Sequence, residues 1–325
     1  MDVSEYRRQV EAEAEAAART EPAFREILRN ARPSGRAGEG AFESSTATGG
    51  DDLSIGLAVL LDSDANEEAF TAALQAMSLE VDDHPELIDG VLEYLGDASN
   101  PPQRRLAVLN LLQEISFRMV GFPAKRPDYL AALRSIIDDP DSQLRRVAIG
   151  ILAREKDDYV QRRLVDGLEG KSKALVPAAK AIQFLAYDVH SEYFPLATRI
   201  VEKPPNRGAK VEAIRLLAAD SSAKDLLVGI LADPSEKPEV KMAGAVALQS
   251  LDPEEFERQA RRIVLDDDED NQLRALSLNA LTYFGNPATQ SEDDELARRV
   301  ESLNSQSRSR SVKKAAAGYL AKRGR

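Results

Sequence analysis

The stretch IIDDPDSQLRRVAIGILA, Ile136 to Ala153, sets three aspartates and two arginines between two apolar helical runs. Taken alone, such a cluster reads as a catalytic or ligand-binding site. Laid along the rest of the chain, it recurs. A Leu/Ile/Val-rich helix end, a short Asp/Pro/Asn/Ser turn, an apolar opener, a Lys or Arg and a small residue four positions after the opener return together. The clearest further copies are GILADPSEKPEVKMAGAVALQSL from Gly229 and RIVLDDDEDNQLRALSLNALTYF from Arg262. Looser copies begin at Val59, Leu95, Leu168, Ile200 and Arg299. The small residues are Ala73, Ala107, Ala148, Ala178, Ala213, Gly244, Ser277 and Ala316, about 30 to 41 residues apart, which is the period of two-helix repeat units. Ahead of each second helix there is room for a first, as in PDYLAALRSII and PEEFERQARRIVL. Pro85, Pro127 and Pro253 stand near the starts of such first helices, where a missing N–H costs nothing. The expectation is an all-α chain with about eight helix pairs between residues 51 and 325.

Composition agrees. The chain has 325 residues, 43% hydrophobic and 5% aromatic, with a formal net charge of -12. A single globular core of that length would split into domains unless it grew along one axis, as a solenoid does. Few aromatics with much Ala and Leu favour packed helices over a β-sandwich. The chain has no Cys and no Trp, which removes disulfides, thiolate nucleophiles and thiolate metal sites together. No window approaches 18 uninterrupted apolar residues, and the charged N-terminus lacks the apolar core of a signal peptide. The expected setting is cytoplasmic, with no membrane contact. The acidic balance disfavours nucleic acid as a partner of the whole surface.

The unit with Asp in the turn, Val/Leu-Arg opening the second helix and a small residue four later resembles a HEAT repeat, nearest to the short bacterial HEAT-like type of phycobilisome-lyase-related proteins. The resemblance covers about 85% of the chain. It implies a right-handed α–α superhelix and a charged ladder between neighbouring repeats. In that ladder Asp138 or Asp139 would meet Arg145, Asp233 would meet Lys241, and Asp266 or Asp267 would meet Arg274. Elementary chemistry points the same way: a carboxylate in the turn accepts from the unpaired N–H groups of the second helix and meets its positive end. The resemblance also implies second helices along a concave face. Tetratricopeptide repeats fit less well, because their Trp, Gly and Tyr positions have no counterpart.

Enzymatic motifs are not found. GxxxxGK[ST], GxGxxG and GxSxG do not occur, and His84 and His190 each stand two residues before a Glu, not the three or four of a helical metal site. The run Asp266 to Asp270 has Asn271 and Ser277 where a calcium loop needs Gly and Glu, so it reads as a solvated acidic loop. The expectation is a non-enzymatic scaffold with no cofactor and no metal. Its partner would be a protein, such as an acidic peptide or helix. Helical periodicity puts Arg105, Arg146, Lys180, Glu212, Arg215, Met242, Ala275, Asn279 and Lys314 on the face of the second helices that avoids the core. Of these, Arg105, Arg146, Lys180, Arg215, Asn279 and Lys314 are the candidate contacts. Two alternatives stand beside this reading: a subunit of a bilin-lyase-like enzyme, and nucleic-acid binding through the groove and the basic C-terminus from Arg308. At the other end, residues 1–30 read as a helical arm and 31–50 as a Gly/Ser-rich linker.

Overall fold

The computed structural model describes residues 50–62, 64–81, 84–118, 122–285 and 293–323. The arm at 1–30 and nearly all of the 31–50 linker lie outside the described residues. Among those described, every regular element is a helix.

The chain divides after Leu152 into two compact units. The first holds α1 (Gly50–Leu61), α2 (Glu67–Glu80), α3 (Leu87–Gly96), α4 (Pro102–Arg118), α5 (Arg126–Ser135) and most of α6 (Ser142–Arg154). The second holds α7 (Asp158–Leu168), α8 (Ala178–Leu185), α9 (Phe194–Glu202), α10 (Arg207–Leu216), α11 (Lys224–Ala232) and α12 (Pro238–Leu251). It continues with α13 (Pro253–Leu265), α14 (Asn271–Phe284), α15 (Asp294–Gln306) and α16 (Arg310–Arg323).

The helices start where side chains can satisfy their first N–H groups. Asn66, Asp157, Asn206, Asp252, Asp270 and Asp293 each accept a backbone N–H two or three residues on, capping α2, α7, α10, α13, α14 and α15. Asp141 does the same for α6, taking Gln143 N at 3.0 Å and Leu144 N at 2.8 Å.

Packing follows a fixed order. In the first unit α1 packs on α2 and α3 on α4, while α2 also meets α4 and α3 meets α5. In the second unit the even-numbered helices form a series, α8 on α10, α10 on α12, α12 on α14 and α14 on α16, each also packed on an odd-numbered neighbour. One burial pattern recurs on the even helices. In α6 the core takes Leu144, Ala148, Ile149, Ile151 and Leu152; in α12 it takes Val240, Gly244, Ala245, Ala247 and Leu248; in α14 it takes Leu273, Ser277, Leu278, Ala280 and Leu281. These are the i, i+4, i+5, i+7 and i+8 positions of one helical stripe.

That stripe corrects two of the sequence anchors. In α4 the same stripe falls on Arg104, Val108, Leu109, Leu111 and Leu112, with Arg105 and Ile115 also buried, so Val108 takes the place expected for Ala107. In α8 it is Ala181, Ile182, Phe184 and Leu185, so Ala181 replaces Ala178. In both, a proline fixes where the helix begins: Pro102 opens α4 and Pro177 precedes α8.

Candidate functional site

The charges of the opening stretch serve the fold, and backbone carbonyls take part beside carboxylates. Arg145 donates to the carbonyl oxygens of Asp139 and Pro140. Arg274 likewise holds the carbonyls of Asp266 and Asp267. The Asp139 carboxylate is occupied twice. Its Oδ1 accepts from Asp141 N at 2.9 Å, and its Oδ2 accepts from Nη1 of Arg105 in α4 at 2.6 Å. Lys241 reaches forward to Glu269 at 2.8 Å, and Lys210 reaches forward to Glu236. Asp233, expected against Lys241, instead accepts from Ser235 N and Oγ, which holds its carboxyl below the usual range. The cations one residue after the stripe's first position, Arg105, Arg145, Lys210, Lys241 and Arg274, thus meet a carboxylate of the following turn, carbonyls of their own turn, or both.

Arg105 is corrected by this geometry. Expected on an exposed face, it is only 2% exposed, with Nε donating to the Leu95 carbonyl at 2.8 Å and Nη1 to Asp139. One residue of register error is about 100° around a helix, enough to carry a side chain from solvent into the core. Its neighbour Arg104, also buried, pairs with Glu67 at 3.0 Å and lies 4.8 Å over the Phe70 ring.

The other candidates separate by exposure. Arg146, Arg215, Asn279 and Lys314 are exposed. Glu212, Met242 and Lys180 are half-buried, Lys180 lying 4.8 Å over the Phe184 ring, and Ala275 is buried. Two of the residues expected on this face, Arg215 and Met242, line a common feature: a furrow of about 670 Å³ between α10 and α12. Its floor is Val211, Ala218, Met242, Ala243 and Val246. Charges stand along its edges, Arg207, Arg215 and Lys237 against Glu239.

The sequence suggested a basic groove. The furrow's lining is mainly apolar, and two of its cations are paired: Arg215 with Glu212 at 2.6 Å and Arg207 with Glu239 at 3.6 Å. Val246, half exposed on the middle of α12, was missed. It stands at i+6 from the stripe's first residue, an exposed position where α10 has Arg215 and α14 has Asn279, so an apolar residue there was the available signal.

The basic C-terminal stretch is partly consumed by packing. Lys322 donates to the Thr282 carbonyl, and Arg323 donates to the Asp293 carbonyl at 3.1 Å and meets Asp294 at 3.2 Å. Arg310, Lys313 and Lys314 remain exposed. In the acidic run, Glu269 meets Lys241, Asp267 meets Arg299 at 2.5 Å and Asp270 caps α14, so these carboxylates bind protein groups. His84 contacts Glu86 at 2.9 Å, and His190 contacts Asp188 at 2.8 Å with its ring edge-on to Tyr193. The described residues contain no cluster of metal-ligating side chains and no helix long and apolar enough to cross a membrane. No family model matches the chain, and no curated protein matches it.

Proposed function

We propose that the chain is a HEAT-like repeat protein, its helix pairs stacked as a right-handed superhelix, and that it works as a non-enzymatic scaffold holding a protein partner on the exposed face of its even-numbered helices. The repeat reading rests on the recurring stripe and on ion pairs that join one helix pair to the next. The observation that carries the binding role is the α10–α12 furrow. Its apolar lining includes half-exposed Val246, and of the three cations along it Arg215 pairs with Glu212 and Arg207 with Glu239, which leaves Lys237 in excess. An amphipathic helix suits such a furrow, with its apolar stripe on the floor and acidic residues toward Arg207, Arg215 and Lys237. Most of its affinity would come from the few apolar anchors at the centre, and the edge charges would steer and select.

Affinity capture from native cells with the wild-type chain and with Val246→Glu tests this role. A charge on the floor is expected to abolish recovery of an acidic partner while the melting curve is unchanged. Equal recovery by a folded Val246→Glu chain would overturn it.

A further inference from the structure

A second cavity lies in the same unit, shares no lining residue with the furrow, and is explained by the register of the helix pairs. The position one residue after the stripe's first carries Arg145 in α6, Lys210 in α10, Lys241 in α12 and Arg274 in α14. Each of these long side chains spans the turn to a carbonyl or a carboxylate. In α8 the same position is Ala178. The helix also begins three residues later than α6 does in this register, because the residue before Pro177 is pushed away from helical geometry. Leu175, Val176 and Pro177 therefore run as a loop, with Leu175 and Val176 turned inward.

What remains where a basic side chain and a first helical turn would stand is a cavity of about 740 Å³. That is inside the range of about 300–1,000 Å³ for cavities holding drug-sized ligands. Its walls are apolar, with Leu164 and Leu168 from α7, Leu175 from the loop, Ala181 from α8, and Leu196 and Ile200 from α9. Its charged groups are Glu169, Lys171, Arg199, Glu202 and Lys203, which leaves one cation in excess. The Glu169 carboxylate is shared: Oε2 meets Lys171 Nζ at 2.5 Å and Oε1 meets Arg199 Nη2 at 2.6 Å. Lys203 stands exposed at the rim.

We infer that this cavity is a binding site for a small amphiphilic anion, an apolar chain or ring system carrying one carboxylate. The apolar body lies against Leu164, Leu175, Leu196 and Ile200, and the carboxylate meets the surplus charge of Arg199 and Lys203. The site is independent of the partner-binding furrow, so each reading can fail without the other.

Isothermal titration of the full chain with decanoate, with decan-1-ol as the neutral comparison, tests the inference. Wild type is expected to bind one decanoate, and decan-1-ol at least about tenfold more weakly, the scale of one hydrogen bond to a charged group. Ala178→Arg, which restores the ladder residue and fills the cavity, is expected to abolish binding. Ala181→Phe fills it from α8 and decides the matter if Ala178→Arg does not fold. Arg199→Met is expected to weaken decanoate about tenfold and leave decan-1-ol unchanged. Absence of saturable decanoate binding, equal binding of the alcohol, or unchanged binding in the filled variants would each overturn the inference.

Discussion

Replacing Arg105 by Met separates a structural ladder from a contact surface. The guanidinium is buried, the Asp139 side chain is 4% exposed, and the two meet at 2.6 Å. Met keeps most of the apolar stem and removes the charge, so the Asp139 carboxylate stays buried without its cation and the Leu95 carbonyl loses a donor. Breaking a buried pair from one side costs about 3–5 kcal/mol, far more than the pair's net worth, because the remaining charge is uncompensated. Asn at 139 removes that charge while its side-chain oxygen can still accept from Asp141 N. The double variant Arg105→Met/Asp139→Asn should therefore return to within about 1–2 kcal/mol of wild type. Lys125→Met is the surface control, since Lys125 meets Asp89 at 2.7 Å with both side chains partly in solvent, and should cost under about 1 kcal/mol. Urea unfolding followed by circular dichroism at 222 nm reads all three. If Arg105→Met cost no more than Lys125→Met, or if the double variant were the less stable, the ladder reasoning would be refuted.

Three further outcomes follow from particular groups. Asp188, bonded to Lys156 at 3.0 Å and also to Gln161 and His190, has its pKa held down from 3.8 to about 2, the Lys156 contact being the largest cause. A depressed carboxylate stabilises the fold above its unfolded pKa and loses that contribution as pH falls, so wild type should weaken between about pH 4 and 2 more steeply than Asp188→Asn in acid melts. Gly170 sits at φ +73, a left-handed turn that releases the chain from α7 into the cavity loop, so Gly170→Ala should lower stability by about 1–2 kcal/mol in urea titration. Gly244→Ala would gain about 0.5–1 kcal/mol of helix preference. Its Cβ would meet Ile230 Cγ2 at 3.3 Å, and overpacking costs about 1–3 kcal/mol, so a net loss is expected in the same assay.

The helix pairs were legible because their spacing, turn chemistry and small residues repeat, and each local signal agrees with its neighbours. Register was less legible. At Pro101–Pro102 and at Pro177 the start of the second helix is set by proline and not by the apolar stripe, which displaced Ala107 by one residue and Ala178 by three. The first slip put Arg105 on the wrong face, and the second left Lys180 half-buried against Phe184. The identity of the ladder partners was also hidden. Whether an arginine meets a carboxylate or a carbonyl depends on turn geometry, and Asp139, Asp141 and Asp233 read alike in one dimension while making different bonds. The furrow was beyond reach for a related reason. Its floor is assembled by two helices about a repeat apart, and only Val246 betrays it along the chain. The cavity beside α8 was visible only as an irregular copy, with Ala where a cation belongs.

The proposed role is tested most directly by photo-crosslinking in native cells, with a photoreactive amino acid at position 246 on α12 and, separately, at Tyr159 on odd-numbered α7, which is also exposed. Efficient capture of one acidic partner from position 246 and not from position 159 is the predicted result. The same partner captured equally from both positions, or none from position 246, would contradict the account.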